Sequence, residues 1–92
     1  MSRRIVFFTQ PGCLSCELMK VFLEAKGIGF EERDISVDRE ACREMMQVHQ
    51  SSETPTLVVF LETVTEVVVG FDPERLDHLL EPVSSFDPVK ES

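Results

Sequence analysis

Two stretches of the chain are apolar without a break. Ile5-Val6-Phe7-Phe8 follows Arg3-Arg4, and Leu57-Val58-Val59-Phe60-Leu61 follows Thr54-Pro55-Thr56. Short unbroken runs of this kind predict strands covered on both faces, here Arg3 to Phe8 and Thr56 to Leu61. Between them the pattern turns helical. Glu17 to Lys26 reads as a helix with Leu18, Phe22 and Ala25 on one stripe and Met19 and Leu23 beside it. Gly27 fits the left-handed position just past its end. Phe30 to Ile35 has a charged interior, Glu31-Glu32-Arg33-Asp34, which predicts an edge strand anchored at its two ends. Asp38 fits the cap of a second helix, Arg39 to about His49, with Ala41, Met45 and Val48 as its stripe and Cys42 and Met46 adjacent. His49 and His78 are expected on helix surfaces.

After the second apolar run, Glu62-Thr63 is a two-residue turn candidate and Val64 to Val69 the returning strand, ended by Gly70. Asp72-Pro73 puts a capping acid and a first-position proline at the start of a third helix, whose apolar face is Leu76, Leu79 and Leu80. Pro82 stops it. Residues 1–82 are therefore expected to form one domain, and residues 83–92 a C-terminal tail. The order is β-α-β-α-β-β-α. A right-handed parallel β-α-β unit followed by an antiparallel hairpin gives an α/β fold, a mixed four-stranded sheet with helices on both faces. Its site is expected at the C-terminal end of the first strand.

That end carries Thr9-Gln10-Pro11-Gly12-Cys13-Leu14-Ser15-Cys16. Cys13 sits where the strand gives way to the helix, and Cys16 lies one turn further in. Helix starts expose unpaired N–H groups and partial positive charge, so a thiol there ionises more readily, and the thiolate is the nucleophile. The spacing also allows a small disulfide between the two. The motif alone leaves three readings open: thiol–disulfide exchange, a zinc or iron–sulfur site, and two core cysteines. Zinc needs about four ligands, and beyond carboxylates the chain adds only Cys42, His49 and His78. The strand–turn–helix setting favours exchange, with no metal and no organic cofactor.

Composition narrows the classes further. The chain has 92 residues, enough for one core, and three cysteines, an odd number that argues against a framework of structural disulfides. Nine basic against 17 acidic residues leave a formal charge of −8, which disfavours nucleic acid and anionic membranes. The four-residue apolar run near the N-terminus is too short for a signal-peptide core or a membrane span, so a cytoplasmic protein is expected; a monomer is expected as well.

Three features together resemble the glutaredoxin family of the thioredoxin-like fold, over residues 3–81. They are Cys13-Leu14-Ser15-Cys16, Thr54-Pro55 before an apolar strand, and Gly70-Phe71-Asp72 before the last helix. The likeness extends to small bacterial glutaredoxin-like proteins, including electron donors of ribonucleotide reductase. It implies that Cys13 attacks and Cys16 resolves, that Pro55 is cis, and that Thr54 offers its backbone to a substrate. It places Gln10, Gly70, Phe71 and Asp72 around the bound substrate as well. The implied partners are a disulfide-containing protein and a reductant, either glutathione or a flavoenzyme of the thioredoxin reductase type. Three departures weigh against glutathione. Leu14-Ser15 replaces Pro-Tyr between the cysteines, Gln10 stands near the place of a lysine, and Gly70-Phe71 replaces Gly-Gly.

Overall fold

Residues 4–80 are described by the computed structural model, and their elements follow the expected order. Strand β1 (Arg4–Thr9) leads through the cysteine turn into helix α1 (Leu14–Ala25) and strand β2 (Glu31–Asp34). Helix α2 (Arg39–Arg43) continues into a wider turn over Glu44–Val48. Strands β3 (Thr56–Phe60) and β4 (Thr65–Val69) and helix α3 (Pro73–Leu80) complete it. The sheet order is β2-β1-β3-β4, with β1 parallel to β2 and antiparallel to β3, and β3 antiparallel to β4. The predicted hairpin closes through Leu61 N–H to the Val64 carbonyl at 2.9 Å. The boundary expected at residue 82, the tail beyond it and the strand start at Arg3 lie outside the described residues.

Alternation along the central strands sends successive side chains to opposite layers. Ile5, Phe7, Leu57, Val59 and Val68 face α1 and α3, where Met19, Leu23, Leu76 and Leu80 close the larger core. Val6, Phe8 and Val58 face Ala41 of α2 and Met45 of the wider turn that follows it. Phe30, the expected anchor of the edge strand, meets the Phe7 ring edge-on at 5.5 Å.

Two helix faces differ from the pattern-based expectation. Helix α1 begins at Leu14, three residues before Glu17, because Cys13 takes the cap position and its sulfur accepts the Cys16 N–H at 3.1 Å. The core-facing stripe is therefore Cys16, Met19 and Leu23. Leu18 and Ala25, expected to face inward, are exposed. The helix is apolar on both sides, so periodicity could not choose between them; the sulfur cap, which fixes where α1 begins, goes with the observed rotation. In the second helix, His49 N–H reaches back five residues to the Glu44 carbonyl at 3.2 Å. A turn this wide swings the next residues off the α-helical register. Val48, expected in the core, is exposed, and His49, expected on the surface, turns inward against Phe8 and Phe60 with its side chain 6 % exposed. Its Nε2 lies 3.6 Å from Glu44 Oε2 and makes no hydrogen bond.

Helix α2 is held at its start by Asp38, whose Oδ1 accepts the Ala41 N–H at 3.1 Å while Oδ2 faces Arg33 at 3.4 Å. The Ala41 N–H, helped by Arg33, holds this carboxyl below its ordinary value of 3.8. A depressed folded-state value means that the stabilisation is fully present above the ordinary value and fades as pH falls through the folded one. Asp38→Ala is expected to lower the melting temperature at pH 7. That difference should narrow in melts taken below pH 3.8.

Candidate active site

The site begins where β1 runs out. Pro11 and a left-handed Gly12 (φ 76°) turn the chain so that Cys13, in extended conformation, caps α1. Side chains favoured at this position are hydroxyl or carboxylate acceptors; here a sulfur does the work. Cys13 and Cys16 are joined as a disulfide across a Cα–Cα distance of 5.2 Å. The two are not equally placed. Cys16 is 4 % exposed and packs in the larger core, whereas Cys13 is only half-buried, at the rim.

The expected neighbours come together from three parts of the chain. The Thr54–Pro55 bond is cis, as the resemblance implied. Thr54 Oγ1 donates to Cys13 Sγ at 3.6 Å, and Gln10 Nε2 donates to Thr54 Oγ1 at 3.0 Å. Gln10 thus occupies the acceptor side of the hydroxyl, leaving its proton for the sulfur. Gly70, left-handed at φ 84°, gives its N–H to the Pro55 carbonyl at 2.8 Å, which ties the end of β4 to the proline loop. Phe71 meets Phe22 of α1 edge-on at 5.8 Å. Asp72 caps α3, accepting the Arg75 N–H at 3.2 Å.

Two supports were not foreseen. Below the proline loop, the buried hydroxyls of Ser51 and Thr56 lie 2.7 Å apart and both reach the Glu53 carbonyl. The hydroxyl-rich run Ser51-Ser52-Glu53-Thr54-Pro55-Thr56 was the available signal. On the Cys16 side, buried Thr9 donates to Glu32 Oε2 at 3.3 Å, and Lys20 pairs with Glu32 Oε1 at 3.2 Å. The Glu32 hydrogen bond, then its charge, raises the Lys20 pKa. Among the described residues no group of three or more His, Cys, Asp or Glu converges as a metal site. Cys42 stays apart, half-buried, with its sulfur 3.8 Å from that of Met46.

The sequence profile of the glutaredoxin family matches residues 5–62, which span both cysteines and the cis-proline. The chain belongs to the glutaredoxin family. Glutaredoxins exchange thiols and disulfides, so this protein is a thiol–disulfide oxidoreductase with its redox pair at Cys13 and Cys16. The Gene 56 protein of Mycobacterium phage L5 is 30 % identical over 77 residues, 84 % of this chain and 72 % of that one. Among solved structures, the thioredoxin-like protein BC3987 matches with a TM-score of 0.75 and 36 % identity, over 84 % of this chain and 100 % of that one. The glutaredoxin-like NrdH-redoxin of Escherichia coli matches at 0.67 and 26 %, covering 86 % and 96 %. No helix among the described residues of this glutaredoxin is long and apolar enough to cross a membrane.

Among the described residues two donors reach Cys13, the Cys16 N–H and the Thr54 hydroxyl, which makes the hydroxyl testable. Once the disulfide is reduced, donation from Thr54 favours the thiolate over the thiol. A hydrogen bond to a charged group contributes about 1.5 to 3 kcal/mol. Thr54→Val is therefore expected to raise the Cys13 pKa by about one to two units. Alkylation rate against pH reads the shift, and an unchanged profile would remove Thr54 from the site's electrostatics.

Proposed function

We propose that the protein reduces protein disulfides as a dithiol donor, and that a flavoenzyme of the thioredoxin reductase type, in preference to glutathione, restores it. The Cys13 thiolate attacks one sulfur of the target, forms a mixed disulfide and expels the other target sulfur as a thiolate. Cys16, after losing its proton, attacks Cys13 Sγ and expels the second target sulfur. The target gains two electrons and two protons, and the Cys13–Cys16 disulfide is left for the flavoenzyme to reduce. Half-exposed Cys13 and buried Cys16 support this division of labour. Thr54 and the strand-like backbone beside Pro55 are the surface on which the target segment would lie, with Gly70 and Phe71 at its far side.

The observation that carries the choice of reductant is the state of the polar groups around the turn. Gln10 supplies no charge, and its amide is already committed to Thr54. Asp72 brings a carboxylate to the α3 start and takes up the Arg75 N–H. Lys20, beside the turn, is paired with Glu32. A tripeptide with two carboxylates finds little to hold it. The Escherichia coli NrdH-redoxin, a structural relative, has a thioredoxin-like activity profile, which supports the same reading.

The test compares two assays with insulin as the disulfide substrate. One supplies NADPH and thioredoxin reductase, the other NADPH, glutathione reductase and millimolar glutathione. Turnover is expected in the first to exceed the second at least tenfold. Turnover by glutathione alone would overturn the choice of reductant.

A further inference from the structure

Helix α1 carries a second apolar stripe on the side away from the core. Leu14, Leu18, Val21 and Ala25 recur at spacings of four, three and four residues, which stacks them on one face, opposite Cys16, Met19 and Leu23. Leu14 is 73 %, Leu18 46 % and Val21 64 % exposed. Surface helices ordinarily turn a polar face outward, and contiguous exposed apolar side chains mark interaction sites. The stripe starts inside the cysteine turn, because Leu14 directly follows Cys13.

A groove of about 410 Å³ runs along the flank of this stripe, from Gln10 and Cys16 to Val21, which belongs to both. Its ionisable walls are Glu17, Glu24, Glu32, Asp34 and Lys20, four carboxylates to one ammonium. Lys20 and Glu32 satisfy each other, and Asp34 Oδ1 accepts from the backbone and hydroxyl of Ser36. Glu17 and Glu24 make no ion pair among the described residues.

We propose that the outer face of α1 docks the protein whose disulfide is exchanged at Cys13, through apolar side chains seated on Leu14, Leu18 and Val21 and Lys or Arg side chains laid in the acidic groove. The proposal rests on exchange at Cys13 and adds to it the chemistry of the partner. Charge decides the occupant. A second copy would bring Glu17 and Glu24 against another chain of charge −8. The chain's own residues 81–92 hold three acids, Glu81, Asp87 and Glu91, against Lys90, and so offer the acidic walls no charge complement. Three helical turns of stripe, roughly 17 Å, suit a small interface that releases after each exchange.

Two synthetic amphipathic peptides with the same leucine seam test the idea, one flanked by Lys and one by Glu. Each carries a terminal cysteine as its mixed disulfide with 2-nitro-5-thiobenzoate, and the reduced full chain is the reagent. The Lys peptide is expected to react about tenfold faster, with the ratio falling as salt rises. Leu18→Ser with Val21→Ser should slow the Lys peptide about fivefold while leaving hydroxyethyl disulfide within about twofold of the parent rate. Glu24→Lys should collapse the ratio between the peptides. Glu62→Lys, with the same change in net charge in the β3–β4 hairpin and outside the groove, should keep it.

Equal rates for the two peptides, or an equal collapse in Glu62→Lys, would overturn the proposal. So would a parent dimer that Leu18→Ser dissociates, or a zero-length cross-link from Lys90 to Glu17 or Glu24. Failure of the parent chain to reduce hydroxyethyl disulfide would instead overturn exchange at Cys13. Anisotropy of labelled, cysteine-free peptides then judges docking by itself, with tighter binding of the Lys form expected and equal binding refuting it.

Discussion

Cys13→Ser is expected to bring disulfide reduction down to background, a loss of roughly a hundredfold or more, because a serine hydroxyl does not ionise at neutral pH and does not attack sulfur. Cys16→Ser should lose steady-state turnover just as fully but by a different route. Attack survives, since Cys13 keeps its cap position, the Thr54 hydroxyl and the backbone N–H of residue 16. Resolution does not. With cystamine as substrate, mass spectrometry of Cys16→Ser should show one cysteamine adduct per chain, on Cys13. The third thiol provides an internal control. Cys42 lies on α2, in the opposite layer from α1, with the Met46 sulfur 3.8 Å from its own. An adduct found on Cys42, or a Cys13→Ser chain that forms the same adduct at the same rate, would contradict the assignment of the nucleophile.

The fold was legible where one local signal had one physical solution. Ile5 to Phe8 and Leu57 to Phe60 could bury unbroken apolar runs only as central strands, and both are central. Glu31 to Asp34 could not be covered on both faces, and it lies at an edge. Gly27, at φ 70°, ends α1 as its position suggested, with the Ile28 N–H returning to the Leu23 carbonyl. The failures have a common cause. The inward face of α1 goes with a sulfur cap, which has no periodicity. The inward turn of His49 depends on one hydrogen bond that skips five residues. In both helices apolar residues lie on more than one side, so hydrophobic spacing fitted several rotations about equally well.

The site shows the same division. Cys13, Cys16 and the cis bond at Pro55 could be placed from motif and resemblance. The contact from Gln10 to Thr54 to Cys13 could not, because it joins residues 44 and then 41 positions apart in the chain. Gln10 was expected to meet a substrate. It also braces the hydroxyl that donates to the nucleophile, so on the proposed reading one side chain links reductant choice to thiol chemistry.

That link makes Gln10→Lys the most informative single change for the reductant. An ammonium at this position can still donate to Thr54 Oγ1, now 3.0 Å from the Gln10 amide, so the Thr54 proton stays on the sulfur. What changes is charge. A carboxylate of glutathione arriving at the turn would meet a cation where the wild type offers none. One charge-assisted hydrogen bond is worth about 1.5 to 3 kcal/mol, or roughly ten- to a hundredfold in binding. The chain's charge of −8 opposes the anion, but physiological salt screens charges beyond about 8 Å, so the local contact should prevail. Gln10→Lys is therefore expected to raise the rate of reduction by glutathione at least about tenfold, mainly by lowering KM. Gln10→Leu supplies the control, removing the brace without adding charge. It should raise the Cys13 pKa toward that of Thr54→Val and give glutathione no advantage. Steady-state kinetics with glutathione, paired with alkylation against pH for each variant, separates the two effects. If Gln10→Lys and Gln10→Leu accelerate glutathione equally, charge at the turn is not what keeps glutathione out.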